Sequence, residues 1–261
     1  MAAVGNARVD TIEADHIEDH DSTLGEDEST YTQSLRSSLL TSVSKNGRGY
    51  HKYKDGQYML PEDEKEQERL DMQHTMLLKL FGGKLILAPV KDEELLHALD
   101  LGTGTGIWAI DFADVHPNCQ VLGIDLSPTQ PSFVPPNCKF EVDDYESEWT
   151  FKQRFNLVHG RMMLTSIERP EELFKNTYDS LVPGGWFELQ DLYMPIPSDD
   201  GTTEGTTWDD WNNGLELAIQ RIGRDTRLPA RYEGLMTQTG FINVEKRIYK
   251  LPSIPGQKTN T

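Results

Sequence analysis

Short apolar runs alternate with amphipathic segments from residue 95 onward. The runs have the length of buried strands, and the segments between them carry apolar residues at helical spacing. Strands separated by helices are typical of a mainly parallel, doubly wound α/β sheet, in which ligands bind at the carboxyl ends of the strands. The predicted strands cover residues 95–101, 120–127, 138–144, 154–160 and 185–192, and the helices between them cover 107–116 and 170–181.

Two more amphipathic helices flank these elements. The first begins near Pro61, and its apolar face consists of Leu70, His74, Leu77 and Phe81. The second has an apolar face that we predict to pack in the core, formed by Trp208, Trp211, Leu215, Ala218 and Ile222. If the two tryptophans lie outside the core, they would wall a pocket for a flat apolar ligand. Residues 241–250 predict a sixth strand.

The negative charge is concentrated near the N-terminus. The chain has 25 basic and 43 acidic residues, for a net charge of −18, and nine of the acids fall within residues 1–30. A segment this acidic, with few apolar residues, cannot bury enough surface to offset the entropy of ordering. We therefore predict a disordered acidic leader over 1–45, either an interaction tail or a solvating segment. A folded domain over 46–250 and a tail over 251–261 follow.

Composition also bears on partners and location. A net charge of −18 repels phosphate backbones and anionic lipid, so we expect neither nucleic acid nor a membrane as a partner. No run approaches the ~18 apolar residues of a membrane span. Cys119 and Cys138 are too few for a disulfide framework. They favour a reducing compartment, which we expect to be the cytoplasm, with the nucleus as a further location.

A glycine-rich loop is the strongest chemical signal. The letters LDLGTGTG occupy residues 99–106 and join a predicted strand to a predicted helix, where backbone N–H groups can approach a ligand. The dinucleotide pattern G-x-G-x-x-G would need glycine at position 107, which is Ile107. Asp100 lies two residues before the first glycine; it would repel a pyrophosphate and suits an ammonium or sulfonium group. A nicotinamide dehydrogenase is therefore disfavoured.

The D-x-G-x-G-x-G pattern resembles the first motif of class I S-adenosylmethionine-dependent methyltransferases. The resemblance implies a Rossmann-like fold in which Asp125 accepts hydrogen bonds from the ribose hydroxyls. It also implies that Asp144, or the competing candidate Asp143, accepts one from the adenine amino group. Acids at the ends of three consecutive predicted strands agree with it. The cofactor-binding residues that it implies are Asp100, Gly102, Thr103, Gly104, Gly106, Asp125, Leu126, Asp143, Asp144 and Tyr145.

Further segments resemble the fungal LaeA-like methyltransferases, namely residues 46–90, 155–161, 181–191 and 198–202. Together the resemblance covers about 46–250. It implies an enzyme of fungal secondary metabolism that methylates a small-molecule acceptor, with S-adenosylmethionine as cofactor. As an alternative, it also permits a weakly catalytic or non-catalytic regulator that acts through protein partners. Family members usually continue with a further helix and a terminal strand, so for a chain that ends at Thr261 we expect a sheet without that strand.

Three further side chains each admit two roles. His159 ends the fourth predicted strand and is the catalytic candidate, because it could deprotonate a hydroxyl or amine acceptor. The alternative is that it orients other groups in the pocket wall. Arg161 could bind an acidic acceptor or pair with a surface acid. His74, on an apolar helix face, is a candidate ligand or a satisfied core histidine. In each case the structural role is favoured.

Overall fold

The computed structural model describes residues 42–45, 47–51 and 60–251, and a parallel sheet lies at the core of this described part. The strands are β1 (Ser42–Lys45), β2 (Arg48–His51), β3 (His97–Leu101), β4 (Gln120–Asp125), β5 (Cys138–Val142), β6 (Phe155–Arg161) and β7 (Leu181–Gln190). The helices are α1 (Glu64–Leu80), α2 (Ile107–Val115), α3 (Pro170–Ser180), α4 (Thr207–Arg221) and α5 (Leu228–Thr239). β5, β4, β3, β6 and β7 lie side by side in that order and pair in parallel, which confirms the predicted α/β fold. In the described part of the chain, no helix is long and apolar enough to span a bilayer.

Alternate residues of β3 face opposite layers of the fold. Leu99 joins a buried cluster that includes side chains of α3 and α5, whereas Ala98 joins a second cluster that includes Trp108 of α2. Because side chains alternate along a strand, Asp100 faces the same layer as Ala98. The parallel register pairs Asp100 with His159 of β6. Both polar side chains therefore lie on the α2 side of the sheet.

Four residues of the predicted leader belong to the fold. β1 pairs antiparallel with β2, so the boundary at residue 45 is placed too late by one strand. Arg48 of β2 donates hydrogen bonds of 2.5 and 2.8 Å to Asp63, the N-cap of α1. The boundary between leader and folded domain is predicted from local charge, and local charge does not indicate backbone pairing between strands. Residues 1–41 and 252–261, the rest of the predicted leader and most of the tail, lie outside the described residues.

The segment after α5 differs from the sequence prediction. Residues 241–251 form neither helix nor strand, so the predicted sixth strand is wrong. A strand needs a neighbour for its backbone hydrogen bonds, and within the described residues no strand lies beyond the outer edge of β7. Instead, Phe241 packs against Tyr178 of α3 with 5.1 Å between the ring centroids, while Ile242 is 83% exposed. The helix α5 itself was not predicted.

The face of α4 that packs on the protein is partly polar. Asn212 forms hydrogen bonds of 3.0 and 2.8 Å with the backbone N–H and C=O of Ile196. Trp208 and Trp211 are 42% and 52% exposed, so their predicted place in the core is wrong. Hydrogen bonds to a distant loop orient this helix, and helical periodicity does not encode them.

Candidate cofactor site

The glycine loop connects β3 to α2 at the carboxyl end of the sheet. Gly102, Gly104 and Gly106 have φ angles of +61°, +58° and +80°, a region that favours glycine. The N–H of Thr103 donates to the carbonyl of Ile124 at 3.0 Å, which ties the loop to the neighbouring strand β4. This backbone conformation turns the chain sharply between strand and helix, as the sequence predicts.

Asp100 lies beneath the loop and is only 3% exposed. The hydroxyl of Thr103 donates to one carboxylate oxygen at 2.6 Å, and Nδ1 of His159 donates to the other at 2.8 Å. Both oxygens are thus used within the protein. Because the side chain is also almost fully buried, the geometry favours an indirect role, in which Asp100 fixes the loop and contributes negative charge, over direct contact with a bound ligand.

Asp125 ends β4 and holds the loop from the side. Its carboxylate accepts hydrogen bonds from the N–H of Gly104 at 2.8 Å and from the N–H of Ser127 at 3.0 Å. The neighbouring Leu126 is half-buried. The carbonyl of Asp125 also accepts from the N–H of Asp143 at 3.0 Å. The acids predicted at the ends of β4 and β5 are therefore adjacent in the fold.

The turn after β5 brings two acids and a tyrosine to the same edge. Asp144 uses both carboxylate oxygens in the turn, accepting from the N–H of Glu146 at 2.9 Å and from the hydroxyl of Ser147 at 3.2 Å. Asp143 accepts from the N–H of Asp144 at 2.8 Å. Tyr145 is buried, and burial raises the pKa of its phenol, which stays protonated. Asp144 accepts more hydrogen bonds within the turn than Asp143 does, so Asp143 keeps more acceptor capacity for a ligand.

The ring of Tyr145 lies close to the first glycine of the loop. Its Cε1 atom is 3.7 Å from the position that a Cβ on Gly102 would take. On the other side, Cδ1 of Leu70 in α1 is 3.5 Å from the corresponding position on Gly104. The hydroxyl of Thr105 donates to Asp71 of α1 at 2.7 Å. The helix α1 therefore covers the loop, a contact between distant segments for which the sequence holds no local signal.

His74 and Arg161 meet at the edge of this site. Nη2 of Arg161 donates to Nδ1 of His74 at 2.7 Å, and a guanidinium can only donate. Nε2 of His74 therefore carries the proton and donates to Asp111 at 2.9 Å. Burial and the nearby Arg161 lower the pKa of His74, so the ring is neutral. His74 is thus a satisfied core histidine, and the favoured pairing of Arg161 with a surface acid is wrong.

His159 has no exposed surface. Its ring stacks on the indole of Trp108, with 3.7 Å between the centroids and 5° between the planes. Nδ1 carries the proton donated to Asp100, and Nε2 has no hydrogen-bond partner among the described residues. A general base must reach the proton that it removes. The geometry therefore favours the orienting role of His159 over the catalytic one.

This fold and loop define a Rossmann-like methyltransferase. A family model described as a methyltransferase domain matches residues 72–246, so the chain belongs to this methyltransferase family. It is 39% identical over 221 residues to methyltransferase pytC of Aspergillus terreus, covering 84% of this chain and 68% of that protein. It is 40% identical over 213 residues to the secondary metabolism regulator LAE1 of Cochliobolus heterostrophus, covering 79% and 69%. These relatives identify it as a fungal LaeA-like methyltransferase family member.

A solved structure supports the same fold. A chain from the Haloferax volcanii complex of a methyltransferase with its Trm112 activator superposes with a TM-score of 0.51 at 18% identity, covering 68% of this chain and 73% of that one. The cofactor of the class is S-adenosylmethionine, and the site residues fit it. The left-handed glycines keep side chains off the loop, Tyr145 borders it, and the acids complement a sulfonium cation. Asp125, half-buried at the end of β4, adds a carboxylate that can accept hydrogen bonds from ribose hydroxyls.

The hydrogen bond between His159 and Asp100 can be tested with isosteric amides. In His159→Asn, the amide nitrogen takes the place of Nδ1 and keeps the hydrogen bond to Asp100. In His159→Gln, the amide nitrogen takes the place of Nε2, and the hydrogen bond to Asp100 is lost. A hydrogen bond to a charged group contributes about 1.5–3 kcal/mol. We expect calorimetry to show cofactor affinity within a few-fold of wild type for the Asn variant and about tenfold or more weaker for the Gln variant. Both variants lose the stack on Trp108, so equal affinities would contradict the positioning role.

Proposed function

We propose that the chain transfers the methyl group of S-adenosylmethionine to a small-molecule intermediate of fungal secondary metabolism. The observation that carries the proposal is the hydrogen bond from Gly104 to Asp125, which joins the glycine loop to the acids at the ends of β4 and β5. In this proposal the loop holds the methionine moiety, Asp125 holds the ribose, and Asp143 accepts from the adenine amino group. Asp100 fixes the loop from below.

Methyl transfer requires little from the protein beyond the correct placement of cofactor and acceptor. Bound S-adenosylmethionine supplies a methyl group that is already activated on a sulfonium. The protein has to position the acceptor in line with that methyl and exclude water. The helix α1, packed over the loop through Leu70 and Asp71, is suited to the second task. Because His159 is buried, we propose that the acceptor is deprotonated without it.

A second candidate function is regulation through protein partners with little or no turnover. The supporting observation is that relatives at 40% and 37% identity are named secondary metabolism regulators, LAE1 and laeA of Aspergillus niger. The exposed pair Trp208 and Trp211, whose ring centroids are 5.2 Å apart, offers an apolar surface for a partner. For either function we propose a cytoplasmic location, with the nucleus in addition for a regulator.

The test combines binding with turnover. The full chain is titrated calorimetrically with S-adenosylmethionine and, separately, with NAD. It is then incubated with methyl-labelled S-adenosylmethionine and either small-molecule or protein fractions of a fungal extract. Cofactor binding with label in small molecules, lost in Asp125→Ala, supports the enzyme. Binding without transfer to small molecules favours the regulator, and binding of NAD alone contradicts both.

A further inference from the structure

Arg161 lies beside the cofactor loop at the carboxyl end of β6. Gly160 pairs with Leu101 of β3, so Arg161 is level with Gly102, the first glycine of the loop. The side chain is half-buried. A cation at this position faces the end of the site where the methionine moiety and the transferred methyl belong in the proposed function.

The guanidinium has no carboxylate partner within the described residues. Its hydrogen bond there is the one to Nδ1 of His74. By contrast, Arg48, Arg169 and Arg231 each pair with an acid. A guanidinium has five N–H donors, and a half-buried one gains from a charged acceptor.

Two nearby acids attract Arg161 without binding it. Asp100 and Asp111 both favour its charged form. The oxygens of Asp100 accept from Thr103 and His159, and Asp111 accepts from Nε2 of His74. Burial lowers the pKa of Arg161, but from so high a starting value that the group stays charged. The neutral His74, held in turn by Asp111, orients the guanidinium plane.

We propose that Arg161 binds a carboxylate at the methionine end of the cofactor site. A planar guanidinium matches a carboxylate through two parallel hydrogen bonds, and Asp100 and Asp111 would repel a dianionic phosphate more strongly than a monoanion. The carboxylate belongs either to the amino-acid moiety of the cofactor or to an acidic acceptor, and the two share the same chemistry. This inference rests on the proposed function and adds to it the anionic group that the site recognises.

The test removes the interaction from both sides. S-adenosylhomocysteine and its decarboxylated analogue, which keeps the amine, are titrated into wild type, Arg161→Met and Arg161→Lys. Benzoate is then titrated into each complex with S-adenosylhomocysteine. Arg161→Lys keeps the positive charge but cannot donate two parallel hydrogen bonds to a carboxylate. Its affinity for the carboxylate ligand should therefore fall less than that of Arg161→Met. Arg161→Lys also provides the measurement if Arg161→Met does not fold. Arg221→Met, which removes an exposed charge on α4, is the control and should match wild type.

The results distinguish the two sources of the carboxylate. If it belongs to the cofactor, decarboxylation and Arg161→Met each weaken binding by about tenfold or more, and their effects do not add. If it belongs to the acceptor, affinity for S-adenosylhomocysteine is unchanged, and benzoate binds wild type but not Arg161→Met. If Arg161→Met binds both S-adenosylhomocysteine and benzoate with unchanged affinity, the inference about Arg161 is overturned, while the proposed function is not affected. A wild-type chain that does not bind S-adenosylhomocysteine would contradict the proposed function as well.

Discussion

Gly106→Ala should lower the free energy of unfolding by about 2–5 kcal/mol and abolish cofactor binding at ordinary concentrations. A Cβ at this position would lie 2.4 Å from the ring of Phe140, closer than any ordinary contact, and the residue has a φ of +80°. The same ring also lies 2.7 Å from the Cβ position of Gly123, so it has little room to move away. The loop or β5 must therefore shift.

Urea unfolding followed by circular dichroism measures the effect of Gly106→Ala, and Gly214→Ala provides the matched control. Gly214 lies within α4, is exposed, and has no atom within 4 Å of its Cβ position. An alanine there should raise stability by about 0.5–1 kcal/mol because it reduces the entropy lost on forming the helix. A Gly106→Ala protein as stable as wild type would show that the loop is not packed against Phe140 as described.

Asp125→Ala should weaken binding of S-adenosylmethionine by tenfold or more while the sheet stays folded. Hydrogen bonds to a charged group contribute about 1.5–3 kcal/mol each, and the ribose offers two hydroxyl donors. The substitution also releases the N–H groups of Gly104 and Ser127, which loosens the loop. Calorimetry gives the affinity, and thermal unfolding shows whether the fold survives.

A control separates this effect from the loss of one negative charge. Asp179→Ala removes an exposed acid that pairs with Lys175 on α3, outside the cofactor site. Its affinity should equal that of wild type. A folded Asp125→Ala protein with unchanged affinity would contradict the assignment of Asp125 to the ribose.

Much of the architecture follows from local pattern. Five strands and the helices α1 to α4 were predicted near their observed positions, because buried strands and amphipathic helices differ in periodicity and because Pro and Gly mark their ends. The glycine loop was equally visible, since left-handed turns need glycine. The adjacency of Asp125 and Asp143 followed from parallel topology, which brings strand ends to one edge.

The chain by itself therefore determined the sheet, the loop and the acids at the strand ends, because these depend on residues close together in sequence. Tertiary structure decided what the polar side chains do. In the folded protein, Asp100 lies beneath the loop and is hydrogen-bonded to His159. Arg161 is hydrogen-bonded to His74, which lies 87 residues away in sequence, and the hydrogen bonds of Asn212 orient α4. A buried polar group takes whatever partner the packed fold brings within hydrogen-bond distance, and no local spacing records that partner.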